Sequence, residues 1–181
     1  MKRAITLLIL VLLAIVSGFY QEKLKISINY ILDEGAKMPG FDLLPPDGKM
    51  EWIEKARVSA PFDYYHNHHT ISWLYHFDSK QLSILKWVVT GFFLLWFLLL
   101  NTFLLKALSV PQDVVRYLPW IYGALVVVAL MLFAIGAFTG LQQHAYTLSR
   151  RIMGALQSVI PVLIIWPASR IAHHSGVKLR S

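Results

Sequence analysis

The sequence predicts an all-α integral membrane protein with four transmembrane helices and one extracytoplasmic segment of about 60 residues. Two observations carry this prediction. Hydrophobic residues make up 56% of the 181 residues, and charged residues are held to 15%, whereas a soluble domain would carry about 25%. The apolar residues are also gathered into four long runs with basic residues at their ends. The chain is therefore predicted to lie in a lipid bilayer, and its basic charge does not indicate a nucleic-acid binder.

The four apolar runs define the predicted spans of a single membrane domain covering residues 1–181. They are residues 4–20, 85–106, 118–138 and 152–169. Each run is close to the ~20 residues that a helix needs to cross ~30 Å of hydrocarbon. Backbone groups inside lipid must pair within their own segment, so helices are expected in preference to strands. The outer segment between the first two spans is residues 21–83.

The first run admits a second interpretation. Lys2 and Arg3 precede a short apolar stretch that ends at Val16-Ser17-Gly18, and a cleavable signal peptide shows the same pattern. We expect the helix to be retained. A mature chain that begins immediately after this tripeptide would contradict that expectation.

The charge distribution sets the expected orientation. Residues 21–83 carry nine acidic and seven basic residues, whereas the rest of the chain carries ten basic residues and a single acid, Asp113. Basic residues that flank short loops favour the cytoplasmic side. We therefore expect a multi-pass membrane protein with both termini in the cytoplasm. Arg150 and Arg151 depart from this pattern, because they fall at the outer end of the fourth predicted span.

Helical periodicity is predicted to continue beyond the first span. Apolar residues from Leu24 onwards repeat at helical spacing, so the first helix is expected to end at about Gly35. A second, short helix is expected to run through Arg57, and Asp78 and Gln81 suit a capping box at the start of the next span. The outer segment, residues 21–83, has too few apolar positions to be expected to bury an independent core. We therefore expect a small cap that leans on the membrane or on a partner.

A cluster of histidines forms the first candidate site. It consists of Asp63, His66, His68 and His69, among tyrosines and a tryptophan just before the second span. Imidazole nitrogens and a carboxylate suit zinc or copper, and a catalytic zinc typically has three protein ligands and a water. No metal-ligand pattern of fixed spacing is present. The alternative is a set of interfacial residues at the headgroup level, which needs no cofactor.

Arg150 and Arg151 form the second candidate site. They precede the fourth predicted span, where two guanidinium groups at a helix N-terminus would attract phosphate or carboxylate. The ligand would be a lipid headgroup, an anionic substrate or an acidic partner. The alternative is that the pair only anchors the helix at the interface by snorkelling.

Polar and small residues within the spans predict helix contacts. Asn101 lies in the second span, and an amide in hydrocarbon needs a hydrogen-bond partner, which the sequence does not reveal. Small residues four apart, as in Ala14/Gly18 and Gly154/Ser158, allow close helix approach and predict packing seams.

The apolar cores of the four runs contain no acidic or basic residue, and the chain contains no cysteine. An enzyme or a proton-coupled transporter would be expected to place a carboxylate or an activated nucleophile there. The sequence therefore favours a non-catalytic accessory subunit with another membrane protein as its partner. The alternatives are a metal-binding membrane enzyme or metal carrier that uses the histidine cluster, and a lipid- or anion-binding protein that uses the arginine pair.

Three stretches resemble small membrane proteins associated with bacterial exosortase systems, of the type found in Bacteroidota. They read GFYQEKLKISINYIL, APFDYYHNHHTISWLYHFD and GALQSVIPVLIIWPASR. The resemblance covers nearly the whole chain and implies an accessory protein of the bacterial inner membrane that works beside an exosortase, in protein sorting or in surface or exopolysaccharide export. The exosortase itself resembles a transpeptidase that uses Cys, Arg and His. Since this chain has no cysteine, no catalytic residue carries over.

Overall fold

The computed structural model describes residues 2–59, 70–139 and 142–174. Within these ranges the chain forms six α-helices and no strand, which confirms the predicted all-α class. The helices are α1 (Lys2–Gly35), α2 (Pro46–Ser59), α3 (Ser79–Ala107), α4 (Gln112–Thr139), α5 (Gln142–Leu156) and α6 (Ile160–His174). Two short 3₁₀ helices, Phe41–Leu43 and Ser72–His76, lie on either side of α2.

Three helices, α1, α3 and α4, are long and apolar enough to cross a membrane. Helices α5 and α6 meet at an angle of 65° across a short break, and they add a fourth span if the bent pair is counted as one. The prediction of apolar membrane helices is therefore confirmed at the level of three to four candidate spans. Their length and composition fit a lipid bilayer.

The chain divides into two compact units. The first unit comprises Met1–Gly18 and Phe93–Ser181, and the second comprises Phe19–Phe92. The division falls within α1 and α3, and α1 is one continuous helix that ends at Gly35 as predicted.

The first unit has a core of apolar side chains from α3, the turn after it, α4, α5 and α6. Its buried residues are Leu104, Leu105, Val110, Val115, Leu118, Tyr122, Leu156 and Val162. Helix α1 joins this unit through a hydrogen bond in which Trp96 Nε1 donates to Ser17 Oγ over 2.9 Å. Ala14 is buried, and Gly18 lies against Phe97 of α3, so the predicted Ala14/Gly18 seam is a contact between helices. Open space surrounds Gly154 instead.

A tight turn joins α3 to α4. Val110 N donates to Leu105 O over 3.1 Å and Ser109 N donates to Lys106 O over 3.0 Å, a pair of bonds that defines a Schellman motif. Ser109 has φ of 58° in the left-handed region, where glycine is usual. Arg3 Nε completes this helix end by donating to Ala107 O over 2.7 Å.

Replacement of Ser109 by glycine is expected to raise the free energy of unfolding by about 0.5–1 kcal/mol. A side chain in the left-handed region is strained, and glycine removes that strain. Unfolding by SDS titration in mixed micelles measures the change. Ser109→Ala keeps the Cβ atom and serves as the control, and a gain in both variants would contradict the explanation.

The second unit has a core of its own. Its fully buried side chains include Ile28, Ile31, Ile53, Leu74 and Leu82. This is more of a core than the sequence of residues 21–83 led us to expect. The difference arises because α1 and α3 extend into the unit and contribute apolar faces to it.

Side-chain hydrogen bonds fix the start of α3 in the second unit. Asp78 N donates to Gln81 Oε1 over 3.0 Å, and Gln81 N donates to Asp78 Oδ1 over 2.7 Å. These reciprocal bonds confirm the predicted capping box. Ser79 N and Ser79 Oγ both donate to Asp42 Oδ1, at 2.9 and 2.8 Å, so the first 3₁₀ helix is tied to the same helix end.

Helix α2 is held by two polar contacts of its inner face. Lys49 is buried, and its Nζ donates to Phe77 O over 3.0 Å while lying 5.8 Å from the centroid of the Phe41 ring. Trp52 Nε1 donates to Glu34 O, at 3.3 Å, in the last turn of α1. The short elements are therefore joined through backbone carbonyl groups at the end of α1 and just after the second 3₁₀ helix.

Candidate functional site

The predicted metal cluster lies outside the described residues. Asp63, His66, His68 and His69 fall within 60–69, so the metal prediction stays a prediction. Across the ranges that are described, no group of three or more His, Cys, Asp or Glu side chains could hold a metal ion.

A test by elemental composition separates the two interpretations of this cluster. The histidines lack the fixed spacing of metal ligands, which favours the interfacial interpretation. If that interpretation is right, the purified full-length protein should contain less than about a tenth of an equivalent of zinc or copper. A bound metal would instead give about one equivalent that a His66→Ala/His68→Ala/His69→Ala variant loses. His76→Ala is the control, because His76 is exposed and lies outside the proposed ligand set.

A buried tyrosine lies just after this segment. The hydroxyl groups of Tyr75 and Thr70 are hydrogen-bonded. Burial raises the pKa of Tyr75 above its ordinary value, and the bond to Thr70 offsets part of that rise. The phenol is therefore neutral at physiological pH and serves as a packing and hydrogen-bonding group.

Arg150 and Arg151 lie within α5, eight and nine residues after its first residue. The expectation that they begin a helix is wrong, because the amphipathic stretch from Gln142 onwards is already helical. The free N–H groups of a helix N-terminus are therefore not beside them. Both side chains are exposed, and neither forms a hydrogen bond or an ion pair with another described residue.

The segment predicted as the fourth span, 152–169, lies on both α5 and α6. The break between them covers Gln157 to Val159. Pro161 explains its position, because proline has no N–H to donate to Gln157 O and its ring would clash there in a continuous helix. Proline is accepted within the first turn of α6, where N–H groups have no partner in the helix. Ile160 N donates to Ser158 Oγ over 3.1 Å at this helix start.

Two buried side chains hold the break in place. Asn101 Nδ2 donates to Ser158 O over 2.8 Å and to Tyr122 Oη over 2.7 Å. Tyr122 Oη donates in turn to Leu156 O over 2.8 Å. We call this arrangement the Asn101–Tyr122 node. It supplies donors to carbonyl groups that the interrupted helix leaves open, which is a requirement inside an apolar environment.

The node uses every hydrogen that its two side chains can donate. Both amide hydrogens of Asn101 and the hydroxyl hydrogen of Tyr122 are engaged, which fixes the orientation of the amide. Asn101 Oδ1 is buried and has no donor among the described residues. The node is thus a polar connection between α3, α4 and the broken helix, and Asn101 Oδ1 is its one buried acceptor without a donor among the described residues.

The sequence indicated one of the two residues of the node. Asn101 was expected to need a partner, but Tyr122 was not singled out. A tyrosine hydroxyl well inside an apolar run was a usable signal, since a buried phenol usually finds a hydrogen-bond partner.

Similarity to known proteins gives no evidence about the function of this chain. A comparison of the chain with protein-family models, curated proteins and solved structures found no match. The functional conclusion rests on the residues of the chain itself.

Proposed function

We propose that this chain is a non-catalytic accessory subunit of a bacterial membrane complex, and that its broken helix presents α6 to a membrane partner. The Asn101–Tyr122 node carries the proposal. All the hydrogen-bond donors of its two side chains are engaged at the break where α5 and α6 meet at 65°, which supports an architectural role for the node. Interrupted helices at membrane depth occur where protein or a water-filled cavity covers the irregular backbone.

The angled helix offers a surface for such a partner. Leu163, Ile164 and Ile171 of α6 are each more than 60% exposed. A straight continuation of α5 would turn these side chains in another direction. The proposed role therefore depends on the bend itself.

Co-purification from mild detergent tests the proposal. Pro161→Ala restores the missing N–H group and favours a continuous helix, so it is expected to reduce recovery of the partner at least several-fold. Pro167→Ala is the matched control, because Pro167 lies inside α6 and away from the break. A wild-type chain that always purifies as a partner-free monomer would count decisively against an accessory role.

The proposed partner is an exosortase. The support is the resemblance of three stretches to small exosortase-associated membrane proteins, which places the work of the complex in protein sorting or surface and exopolysaccharide export. Co-expression with an exosortase from the same genome, followed by tandem purification, tests this identity. Recovery of a different membrane protein would keep the accessory role and overturn the exosortase link.

The proposed topology has four spans, with α5 and α6 counted as one, both termini in the cytoplasm of the inner membrane and residues 21–83 outside. Basic residues at the ends of the apolar runs support it.

Single-cysteine labelling tests this topology. The sequence has no cysteine, so an introduced cysteine is the one thiol that reacts. Lys80→Cys should react with a membrane-impermeant maleimide from outside, whereas Ser109→Cys and Lys178→Cys should not. Outside labelling at position 178 would mean that α5 and α6 form a re-entrant loop.

A further inference from the structure

Helix α5 carries a polar stripe that the accessory role does not explain. Its exposed residues include His144, Thr147 and Arg151, at the three- and four-residue spacings that share a helix face, with Arg150 beside them. The other face is turned to the core, since Leu156 is buried and Ile152 is packed against the core cluster. The cationic groups therefore point away from the first unit.

The stripe lies in the middle of α5, a short distance from the end of the candidate span of α4. Helix α5 packs along α4. The candidate span of α4 ends at Gly136, and α5 begins at Gln142. Arg150 and Arg151 thus lie about 12–14 Å along α5 from its first residue. Helical side chains lean towards the N-terminus, and arginine extends its polar head along apolar surface. Both guanidinium groups can reach back to the headgroup level at the α4–α5 end.

No acidic side chain of the first unit lies close enough to this stripe to act as its counter-charge. The sequence of its two stretches includes one acidic residue, Asp113. Asp113 lies in the first turn of α4, at the far end of a helix of 28 residues from the place where α5 starts. The two arginines and that carboxylate are separated by roughly 25 Å or more along the helix axis. The first unit therefore has no carboxylate side chain within reach of the two arginines, which leaves their charge open to an anion from outside this unit.

We infer that the stripe formed by His144, Thr147, Arg150 and Arg151 binds the phosphate of an anionic glycerophospholipid. Two guanidinium groups match phosphate oxygens in a bidentate manner, and the exposed imidazole of His144 supplies a further polar contact. The reach of the arginines to the headgroup level selects a lipid over a soluble anion. This inference is independent of the accessory role, since either can fail without the other.

Native mass spectrometry of the full chain tests the inference with two probes, phosphatidylglycerol and phosphatidylcholine of identical acyl chains. The wild type is expected to retain phosphatidylglycerol in preference. Arg150→Gln/Arg151→Gln is expected to retain roughly thirtyfold less, because each basic residue near an anionic surface contributes about a factor of five. Arg150→Lys/Arg151→Lys keeps the charge and should stay within about fivefold of the wild type, which keeps the test valid if the glutamine variant does not fold.

Lys106→Gln/Arg116→Gln is the control, because it removes the same charge from exposed positions at the other end of the spans. It is expected to lose less than the stripe variant does, because Lys106 and Arg116 lie on two different helices and offer one guanidinium group in place of an adjacent pair. An equal loss in both double variants, or no preference for phosphatidylglycerol in the wild type, overturns the inference. Displacement of the lipid by millimolar inorganic phosphate would also overturn it in favour of a soluble anion site, whereas retention in phosphate supports the lipid.

Discussion

Replacement of Asn101 by leucine is expected to lower the free energy of unfolding by about 2 kcal/mol and to loosen the bend between α5 and α6. Leucine has a similar volume, so the change removes two hydrogen bonds with little change in packing. Ser158 O is then left without its donor, and an unpaired carbonyl inside a protein costs about 1–3 kcal/mol. Measured hydrogen bonds between membrane helices contribute on average less than the cost of an unpaired carbonyl. We therefore place the expected loss near the middle of the range of about 1–3 kcal/mol.

Unfolding by SDS titration in mixed micelles measures the loss, and Thr102→Val is the matched control. Thr102 neighbours Asn101 but donates only to Leu98 O of its own helix, over 2.7 Å. We expect a change of less than about 0.5 kcal/mol for the control, because that carbonyl keeps its backbone donor. Equal losses in the two variants would mean that the node contributes nothing beyond an ordinary polar residue of the span.

Tyr122→Phe extends this test to a double-mutant cycle. The variant removes the donor to Leu156 O and the acceptor of one Asn101 hydrogen. Because both side chains belong to one network, the loss in the double variant should be smaller than the sum of the single losses by at least about 0.5 kcal/mol. Strict additivity would show that the two residues act separately.

Replacement of Gly35 by alanine is expected to destabilise the second unit by about 1–3 kcal/mol. A Cβ atom at this position would lie 2.7 Å from Phe41 Cδ1 and 2.8 Å from Phe41 Cε1. Phe41 is 3% exposed, so its ring has little room to move. Overpacking of a buried contact of this kind typically costs 1–3 kcal/mol. The stability is measured as the loss of helical circular dichroism on heating or in SDS.

Gly48→Ala is the matched control for this prediction, with the opposite expected sign. A Cβ atom there would meet Pro45 Cδ at 3.5 Å, an ordinary contact. Alanine restricts the unfolded chain and favours the helix, so we expect a gain of about 0.5 kcal/mol. Phe41→Leu in the Gly35→Ala background should recover part of the loss. Destabilisation by Gly48→Ala to the same extent would show that the steric explanation is wrong.

Sequence by itself determined the local features of this chain. The apolar runs predicted the long membrane helices, and helical spacing predicted the extension of α1 to Gly35. The reciprocal bonds of Asp78 and Gln81 form within four residues, so the capping box was visible as a motif. These features depend on hydrogen bonds and periodicity within a few turns, which is why a linear pattern reveals them.

Tertiary structure decided the features that join distant residues. The partners of Asn101 come from positions 21 and 57 residues away, and nothing in the linear order indicates which carbonyl groups a broken helix leaves open. Arg150 and Arg151 looked like the start of a span, but the helix begins earlier because α5 can bury one face against α4. The second unit likewise has a core only because α1 and α3 contribute apolar faces to it. Burial and hydrogen-bond satisfaction depend on spatial neighbours, and those neighbours exist only after the helices pack.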